Sequence, residues 1–396
     1  MSNAAKLLTR EEEDSGRLRF DRPELAGAVA DLGVLVPIAV ALIVRNGLTS
    51  TSVLLPAGLL YVAAGLLYRL PVPVQPLKAF GVIAIAKGLG ADEIAAGALL
   101  MGLVFVILGA SGLLDRVARI FPQPIIRGVQ LSVGLLFCQL AWNLATAPPS
   151  AFLDHTRPTW WLLGGAAAVV AAALALRSHN VTLWMVLLAA VGMAVGYRGP
   201  LPLGPSSLHI PDLSLRAFTA AAVALVLPQL PLTFANSCLA TADAARAYFG
   251  PAAERVRPSR LALSLGAANL LAGAISGMPV CHGAGGMTAH RSFGARSGGA
   301  PIMMGTVLLV IAVAIGTKLP GVLAGFPLPI LAGLLAVSGA LHITLWRDLR
   351  GASPWALAGA VGVTGFLFNL AIALVGGLLV WWAGRAITTL RHRAPA

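Results

Sequence analysis

Charge is scarce in this sequence. Asp, Glu, Lys and Arg make up only 11% of its 396 residues, whereas a soluble domain carries about 25%. Hydrophobic residues account for 58%, in runs that recur along almost the whole chain. Many of these runs approach the roughly 20 residues of a membrane helix, and they lack the alternation over about 10 residues of a barrel strand. The composition therefore excludes a soluble globular fold and predicts an all-α polytopic membrane protein.

Cysteine is equally scarce. The three cysteines lie in or near apolar segments and show neither a disulfide framework nor zinc spacing. Cys281 and His282 are adjacent but have no second pair, so we predict no metal and no cofactor. The sequence also lacks the G-x-x-x-x-G-K-[ST] loop of an ATP-driven pump and the acid–base pair or metal cluster of a membrane enzyme. We therefore do not predict an enzyme.

Fourteen apolar segments can be drawn, of which the last two share one block and could form a single helix. Residues 1–23 are polar and lack the apolar core of a signal peptide, which predicts a cytoplasmic tail. Residues 391–396 form a second short tail. The segments are predicted near residues 25–44, 50–68, 76–86, 94–112, 125–144, 159–176, 181–197, 217–237, 260–276, 283–293, 301–317, 328–345, 355–370 and 371–388.

Basic residues set the predicted orientation. With the N-terminus inside, most of the 28 Lys and Arg residues fall in cytoplasmic loops, as the positive-inside rule requires. This predicts a multi-pass protein of the cytoplasmic (inner) membrane with both termini in the cytoplasm. The basic residues lie in separated short loops rather than in one patch, so we predict no nucleic-acid partner.

The segments divide into two nearly equal halves. Segments 1–7 occupy residues 24–198, a linker covers 199–215, and segments 8–14 occupy 216–390. An odd number of spans in each half inverts the second half in the membrane. Inverted repeats are typical of secondary transporters, whose sites lie at the midplane where helices are broken.

The predicted breaks occur at corresponding places. Segment 3 opens with "PVPVQPLKAFG" and segment 10 with "GMPVCHGAGGMTAH". Each reads Pro-Val, then polar residues, then a helix too short to cross alone. A half-helix N-terminus inside the membrane carries about half a positive charge and favours anions. Glycines 283, 285 and 286 would let a ligand approach the backbone. The alternative is mere kinks, because Gly and Pro are common in membrane helices.

Polar side chains in the apolar spans form a second signal. Gln229, Thr233, Asn236 and Ser237 share one helical face of segment 8. They could line a cavity or make hydrogen bonds between helices.

Asp31 is the only carboxylate well inside a predicted span, and Lys78 is the only deeply placed cation. Asp31 and Lys78 could form a structural ion pair. Alternatively, Asp31 takes up a proton when an anion binds and Lys78 supplies positive charge, which would give proton–anion symport. His282 could donate a hydrogen bond to the substrate or could be a packed, satisfied histidine.

Four stretches carry a family resemblance: "VADLGVLVPIAVAL", "LPVPVQPLKAFGVIAIA", "LPQLPLTFANS" and "GMPVCHGAGGMTAHRSFGAR". They resemble signature stretches of the molybdate transporter family, often labelled "putative sulfate/molybdate transporter", a branch of the sulfate permease superfamily lacking the C-terminal regulatory domain. The resemblance covers about residues 24–390. It implies a fold of seven plus seven inverted segments, in which segments 1–4 and 8–11 form a core and segments 5–7 and 12–14 form a gate.

The resemblance also implies a site and a function. A tetrahedral oxyanion would lie between segments 3 and 10, and the core would slide past the gate to carry it. The function implied is proton-coupled import of molybdate across the lipid bilayer. Sulfate or tungstate transport, a nucleobase or bicarbonate carrier of the same fold, and a homodimer stay open. The predicted substrate-binding residues are Gln75, Lys78, Gln229, Thr233, Asn236, His282, Gly283 and Gly285, with Asp31 for proton coupling.

Overall fold

The computed structural model describes residues 17–29, 32–114, 116, 120–176, 179–196 and 203–393. These residues are mostly helical, with two very short strands. The helices are α1 Arg22–Ala28, α2 Leu32–Val44, α3 Ser50–Tyr68, α4 Lys78–Lys87, α5 Ala91–Ser111, α6 Gln123–Thr146, α7 Thr159–Leu176, α8 His179–Gly196, α9 Leu215–Ala221, α10 Leu227–Leu232, α11 Thr241–Phe249, α12 Pro258–Ala274, α13 Ala284–Ser292, α14 Gly299–Ala314, α15 Leu319–Ala324, α16 Leu328–Thr344, α17 Ala352–Thr364 and α18 Leu370–Arg393; the strands are β1 Gln75–Pro76 and β2 Val280–Cys281.

The long helices match the predicted apolar segments. Six helical stretches of the described chain are long and apolar enough to cross a membrane, and three shorter apolar helices accompany them. The predicted segments 50–68 and 159–176 coincide with α3 and α7. Helices α9, α10 and α11 form one interrupted helix that runs to Phe249, with π-helical turns at Ala222–Val226 and Thr233–Ala240. Pro228 and Pro231 lie between the two π turns, and proline removes a helical hydrogen bond.

The helices pack in two groups. In one group α5 runs along α12 and α3 runs along α14. In the other, α6 packs against α16 and α17, and α16 also packs against α7. The first group contains helices of predicted segments 2, 4, 9 and 11, and the second contains helices of segments 5, 6, 12 and 13. These packing pairs agree with the core and the gate that the resemblance predicts.

Glycines allow these helices to approach closely. A Cβ on Gly102 of α5 would lie 2.9 Å from the carbonyl oxygen of Gly266 on α12. A Cβ on Gly134 of α6 would lie 2.8 Å from the carbonyl oxygen of Gly339 on α16. Small residues are typical of membrane helix interfaces, because lipid offers no hydrophobic drive to pack bulkier ones.

The last two segments are separate helices. Asn369 Oδ1 accepts hydrogen bonds from the N–H groups of Ala371 and Ile372, at 2.9 and 3.3 Å, and so caps α18. A Cβ on Gly377 would lie 2.5 Å from Val361 Cγ2, which a straight helix through both residues would not allow. Helices α17 and α18 therefore fold back on each other at the π turn Gly365–Asn369.

A buried carboxylate joins the start of the chain to the second half of the sequence. Glu24 of α1 is 1% exposed. It accepts hydrogen bonds from the backbone N–H groups of Arg296 (2.7 Å), Ser297 (2.8 Å) and Ala300 (3.2 Å). These groups lie at and before the N-terminus of α14, where an acidic group satisfies unpaired donors and opposes the helix dipole.

Candidate functional site

Strands β1 and β2 bring the two predicted breaks together. They pair antiparallel, with Gln75 opposite Cys281 and Pro76 opposite Val280. The N–H of Leu77 also donates to the carbonyl oxygen of Pro279, at 3.0 Å. The pairing satisfies backbone groups that an extended segment in lipid would otherwise leave exposed. As a result, α4 and α13 both begin immediately after the strand pair.

Neither short helix is capped by the side chain of the residue that precedes it. Leu77 precedes α4 and Gly283 precedes α13, and neither supplies a capping hydrogen bond. The first N–H groups of a helix have no partner within the helix and carry part of its positive dipole. Two such ends beside one strand pair offer donors and positive charge to an anion.

Gly283 lies between two carboxamides. A Cβ at this position would lie 2.6 Å from Gln75 Oε1 and 3.3 Å from Asn236 Nδ2. Three predicted site residues from three parts of the sequence are therefore neighbours. Gly285, in the first turn of α13, is exposed, and a Cβ there would meet nothing within 4 Å. The start of α13 thus faces open space beside these polar groups.

Lys78 is the first residue of α4 and is half-buried. Its ammonium group makes neither a hydrogen bond nor an ion pair with any residue that the structure describes. A cation at the centre of a membrane helix costs roughly 2.5–3.5 kcal/mol on insertion scales. The charge therefore adds to the positive helix ends without cancellation from the described carboxylates.

The predicted polar stripe divides in two. Gln229 and Thr233 are buried and hydrogen-bond each other: Gln229 Nε2 donates to Thr233 Oγ1 at 3.0 Å. Gln229 Oε1 accepts from the N–H of Phe80, in the first turn of α4, at 3.0 Å. These two residues therefore hold the first turn of α4 in place. Asn236 is partly exposed and lies beside Gly283.

His282 is fully buried, with both ring nitrogens engaged. Nδ1 lies 2.9 Å from the carbonyl oxygen of Pro73, and Nε2 lies 2.9 Å from Ser264 Oγ. The ring also packs edge-on against Tyr68. This arrangement leaves no nitrogen for a ligand. Of the two roles that the sequence left open, it fits the packed, satisfied histidine that ties β2 to the chain before β1.

Asn269 belongs to the site although sequence reasoning missed it. It is fully buried on α12, and its carboxamide bonds both backbone groups of Val280: Val280 N–H donates to Oδ1 at 2.7 Å, and Nδ2 donates to Val280 O at 2.8 Å. The Asn269 side chain thus makes the two hydrogen bonds to Val280 that a neighbouring strand would make. A lone Asn in the apolar stretch "LALSLGAANLLAGA" was the available signal.

Asp31, the predicted proton carrier, lies outside the described residues. No group of three His, Cys, Asp or Glu side chains that could hold a metal ion occurs in the described part of the chain. The site there consists of amide, ammonium and backbone N–H donors, which is the chemistry of an anion site.

Comparison with known proteins gives related sequences. A family described as "Molybdate transporter of MFS superfamily" matches residues 23–137 and 221–341. Molybdate transporter 2 of Arabidopsis thaliana is 30% identical over 374 residues, covering 82% of this chain and 79% of that protein. Molybdate transporter 1 of Chlamydomonas reinhardtii is 29% identical over 466 residues, covering 88% and 90%.

Solved structures confirm the fold. The transmembrane domain of the cyanobacterial bicarbonate transporter BicA matches with a TM-score of 0.66 and 18% identity, covering 91% of this chain and 98% of that one. Murine Slc26a9, an anion transporter, matches with a TM-score of 0.67 and 16% identity, covering 98% and 73%. Both have the fold of seven plus seven inverted segments, as the sequence predicted for this chain.

Proposed function

Because the chain belongs to the molybdate transporter family, we propose that it is a secondary transporter that imports molybdate across the cytoplasmic membrane. The observation that carries this proposal is the pair of short-helix N-termini beside β1 and β2, with Lys78 at one of them. Family membership and the fold of its structural relatives make the chain a transporter and not an enzyme.

The donor set supports a tetrahedral dianion. Backbone N–H groups at the start of α4 and α13 have the charge and direction to receive oxyanion oxygens. Gln75 and Asn236 add carboxamides beside Gly283. The Lys78 ammonium supplies a full positive charge, and hydrogen bonds to charged groups are roughly twice as strong as neutral ones. In this proposal His282, Gln229 and Thr233 hold the site in shape.

Transport in this proposal follows from the two helix groups. The core carries the anion between α4 and α13 and slides past the gate, along the faces of α6 and α16. The repeat boundaries proposed are residues 24–198 and 216–390. The two family matches, which begin at residues 23 and 221, support this spacing. Both termini would lie in the cytoplasm, where the basic loops accumulate.

Proton coupling is part of the proposal, with Asp31 as its carrier. A carboxylate beside a dianion is unfavourable, so binding would be linked to protonation. Asp31→Asn should abolish the dependence of molybdate flux on a proton gradient in proteoliposomes. A variant that keeps the full dependence would exclude Asp31 from coupling.

Binding to the purified protein tests the substrate. Calorimetric titrations with molybdate, sulfate and tungstate, with uracil as the neutral control, compare ligands of similar shape. We expect molybdate to bind and excess sulfate not to displace it. Equal competition would mean a general oxyanion transporter, because backbone donors read charge and shape. Absence of oxyanion binding would contradict the proposal.

A further inference from the structure

An apolar groove lies on the gate, between the starts of α7 and α16. It has a volume of about 450 Å³. Its lining residues come from the first two turns of α7 and from the start of α16, and they include Trp160, Trp161, Gly164, Pro327 and Pro329. In the loop before α7, Asp154 Oδ2 accepts a hydrogen bond from the N–H of Leu328 at 3.0 Å. The two helices therefore begin at the same end of the gate.

Glycine gives this groove its depth. A Cβ on Gly165 would lie 2.7 Å from Pro329 Cβ, so α7 and α16 touch at this position. One residue earlier, a Cβ on Gly164 would meet nothing within 4 Å. Close contact and open space thus lie next to each other on α7, and a larger side chain at Gly164 would fill the groove.

The groove lies at the level where both helices enter the membrane. Trp160 is 74% exposed, and tryptophan is enriched at membrane–water interfaces, where its ring sits at the level of the lipid headgroups. The lining residues from Trp160 to Gly165 extend roughly 8 Å along α7. The groove therefore reaches from the headgroup level into the hydrocarbon region, where an acyl chain is the available apolar ligand.

Arg157 places a positive charge beside the groove. Its guanidinium carbon lies 5.7 Å from the centre of the Trp161 ring, in a cation–π contact. Arg157 is exposed and makes no ion pair with a carboxylate of the described residues. Asp154, which is close in sequence, bonds the start of α16 instead. The planar donors of an arginine match the oxygens of a phosphate group.

We propose that this groove is a binding site for an anionic phospholipid, with an acyl chain between α7 and α16 and the phosphate on Arg157. The chemistry is distinct from that of the transported anion, because an inorganic oxyanion has no apolar part to place beside Trp160 and Pro329. A second copy of the chain is the other possible occupant. A two-fold contact centred on the groove would bring two copies of Arg157 together, whereas a phosphate compensates this charge.

The test counts retained lipids. The purified full-length protein is incubated with equal amounts of phosphatidylglycerol and phosphatidylcholine that have the same acyl chains, and bound lipids are identified by native mass spectrometry. We expect the wild type to retain phosphatidylglycerol in roughly fivefold preference, which is the effect of one arginine near a membrane surface. Arg157→Gln should lose this preference. Gly164→Leu should lose the lipid itself, because the new side chain occupies the groove.

Two matched variants control for charge and for added bulk. Arg216→Gln removes another exposed arginine, on α9. Gly192→Leu enlarges a glycine of α8 whose Cβ would also meet nothing within 4 Å. Both should retain lipid as the wild type does.

Three results would overturn the inference. One is a folded Gly164→Leu protein that retains as much phosphatidylglycerol as the wild type. Another is equal retention of the two lipids by the wild type, which decides the question even if the variants fail to fold. The third is a dimer of the wild type that Gly164→Leu converts to a monomer in light scattering without any loss of lipid, which would assign the groove to a second copy of the chain.

Discussion

Gln75 and Cys281 lie opposite each other in an antiparallel strand pair, although they come from opposite halves of the sequence. This pairing places the starts of α4 and α13 side by side. The anion site that we propose therefore depends on contacts between the two halves, and neither half could form it alone. Changes that disturb the strand pair should affect binding even where they lie away from the anion.

Lys78→Met should weaken molybdate binding with little effect on stability. Lys78 makes no ion pair or hydrogen bond with the described residues, so the substitution breaks no polar contact among them. Hydrogen bonds to charged groups contribute about 1.5–3 kcal/mol, which corresponds to roughly 10- to 150-fold in Kd. Lys87→Met, at the exposed end of the same helix, is the control. Normal affinity in a folded Lys78→Met protein would remove Lys78 from the site.

Gly283→Ala tests the packing of the two carboxamides. The added methyl group would lie 2.6 Å from Gln75 Oε1, so Gln75 must move or the strand pair must shift. We expect at least a tenfold rise in the Kd for molybdate and a loss of about 1–3 kcal/mol in stability from overpacking. Gly321→Ala, where a Cβ meets nothing within 4 Å, should leave both unchanged. Equal effects of the two substitutions would contradict this account.

The sequence was sufficient to predict the half-helices, because their signals are local. Proline, polar residues and a short apolar run occur within a dozen residues at each break. Lys78, Gly283 and Gly285 lie at the start of the short helices for the same reason. The spans were also predictable, since hydrophobicity over about 20 residues is required by the bilayer itself.

Side-chain partners were not predictable, because they depend on contacts between distant segments. Gln229 and Thr233 share a helical face with Asn236, yet Gln229 bonds the N–H of Phe80 while Asn236 lies beside Gly283. The π turns rotate this face along the helix. Periodicity alone could not distinguish a supporting residue from one that lines the site.

Asn269→Leu should disrupt the site without touching the anion. It leaves the N–H and carbonyl of Val280 without their side-chain partner, at about 1–3 kcal/mol for each unsatisfied group. Thermal unfolding in detergent should show the lost stability, and calorimetry should show weakened molybdate binding. Asn143→Leu, on the exposed face of α6, is the control. Unchanged stability in Asn269→Leu would mean that β2 does not need this side chain.

Glu24 should make stability depend on pH. Burial raises the pKa of its carboxyl above the ordinary value of 4.5, although the N–H groups of Arg296, Ser297 and Ala300 favour the ionised form. The folded protein therefore holds this proton more tightly than the unfolded chain. The free energy of unfolding should fall as the pH rises from 4.5 to the folded-state pKa, and this contribution should be constant above it.

Glu24→Gln removes that titration while keeping an amide oxygen for the N–H groups of Arg296 and Ser297. We measure the thermal unfolding of this variant between pH 4.5 and 8. Its free energy of unfolding should lose the part of the pH dependence that Glu24 causes. Glu24→Ala should instead cost about 1–3 kcal/mol at every pH, because buried N–H groups before α14 lose their acceptor. The exposed Glu254, changed to Gln, controls for net charge. A Glu24→Gln protein with the wild-type slope would show that another group titrates.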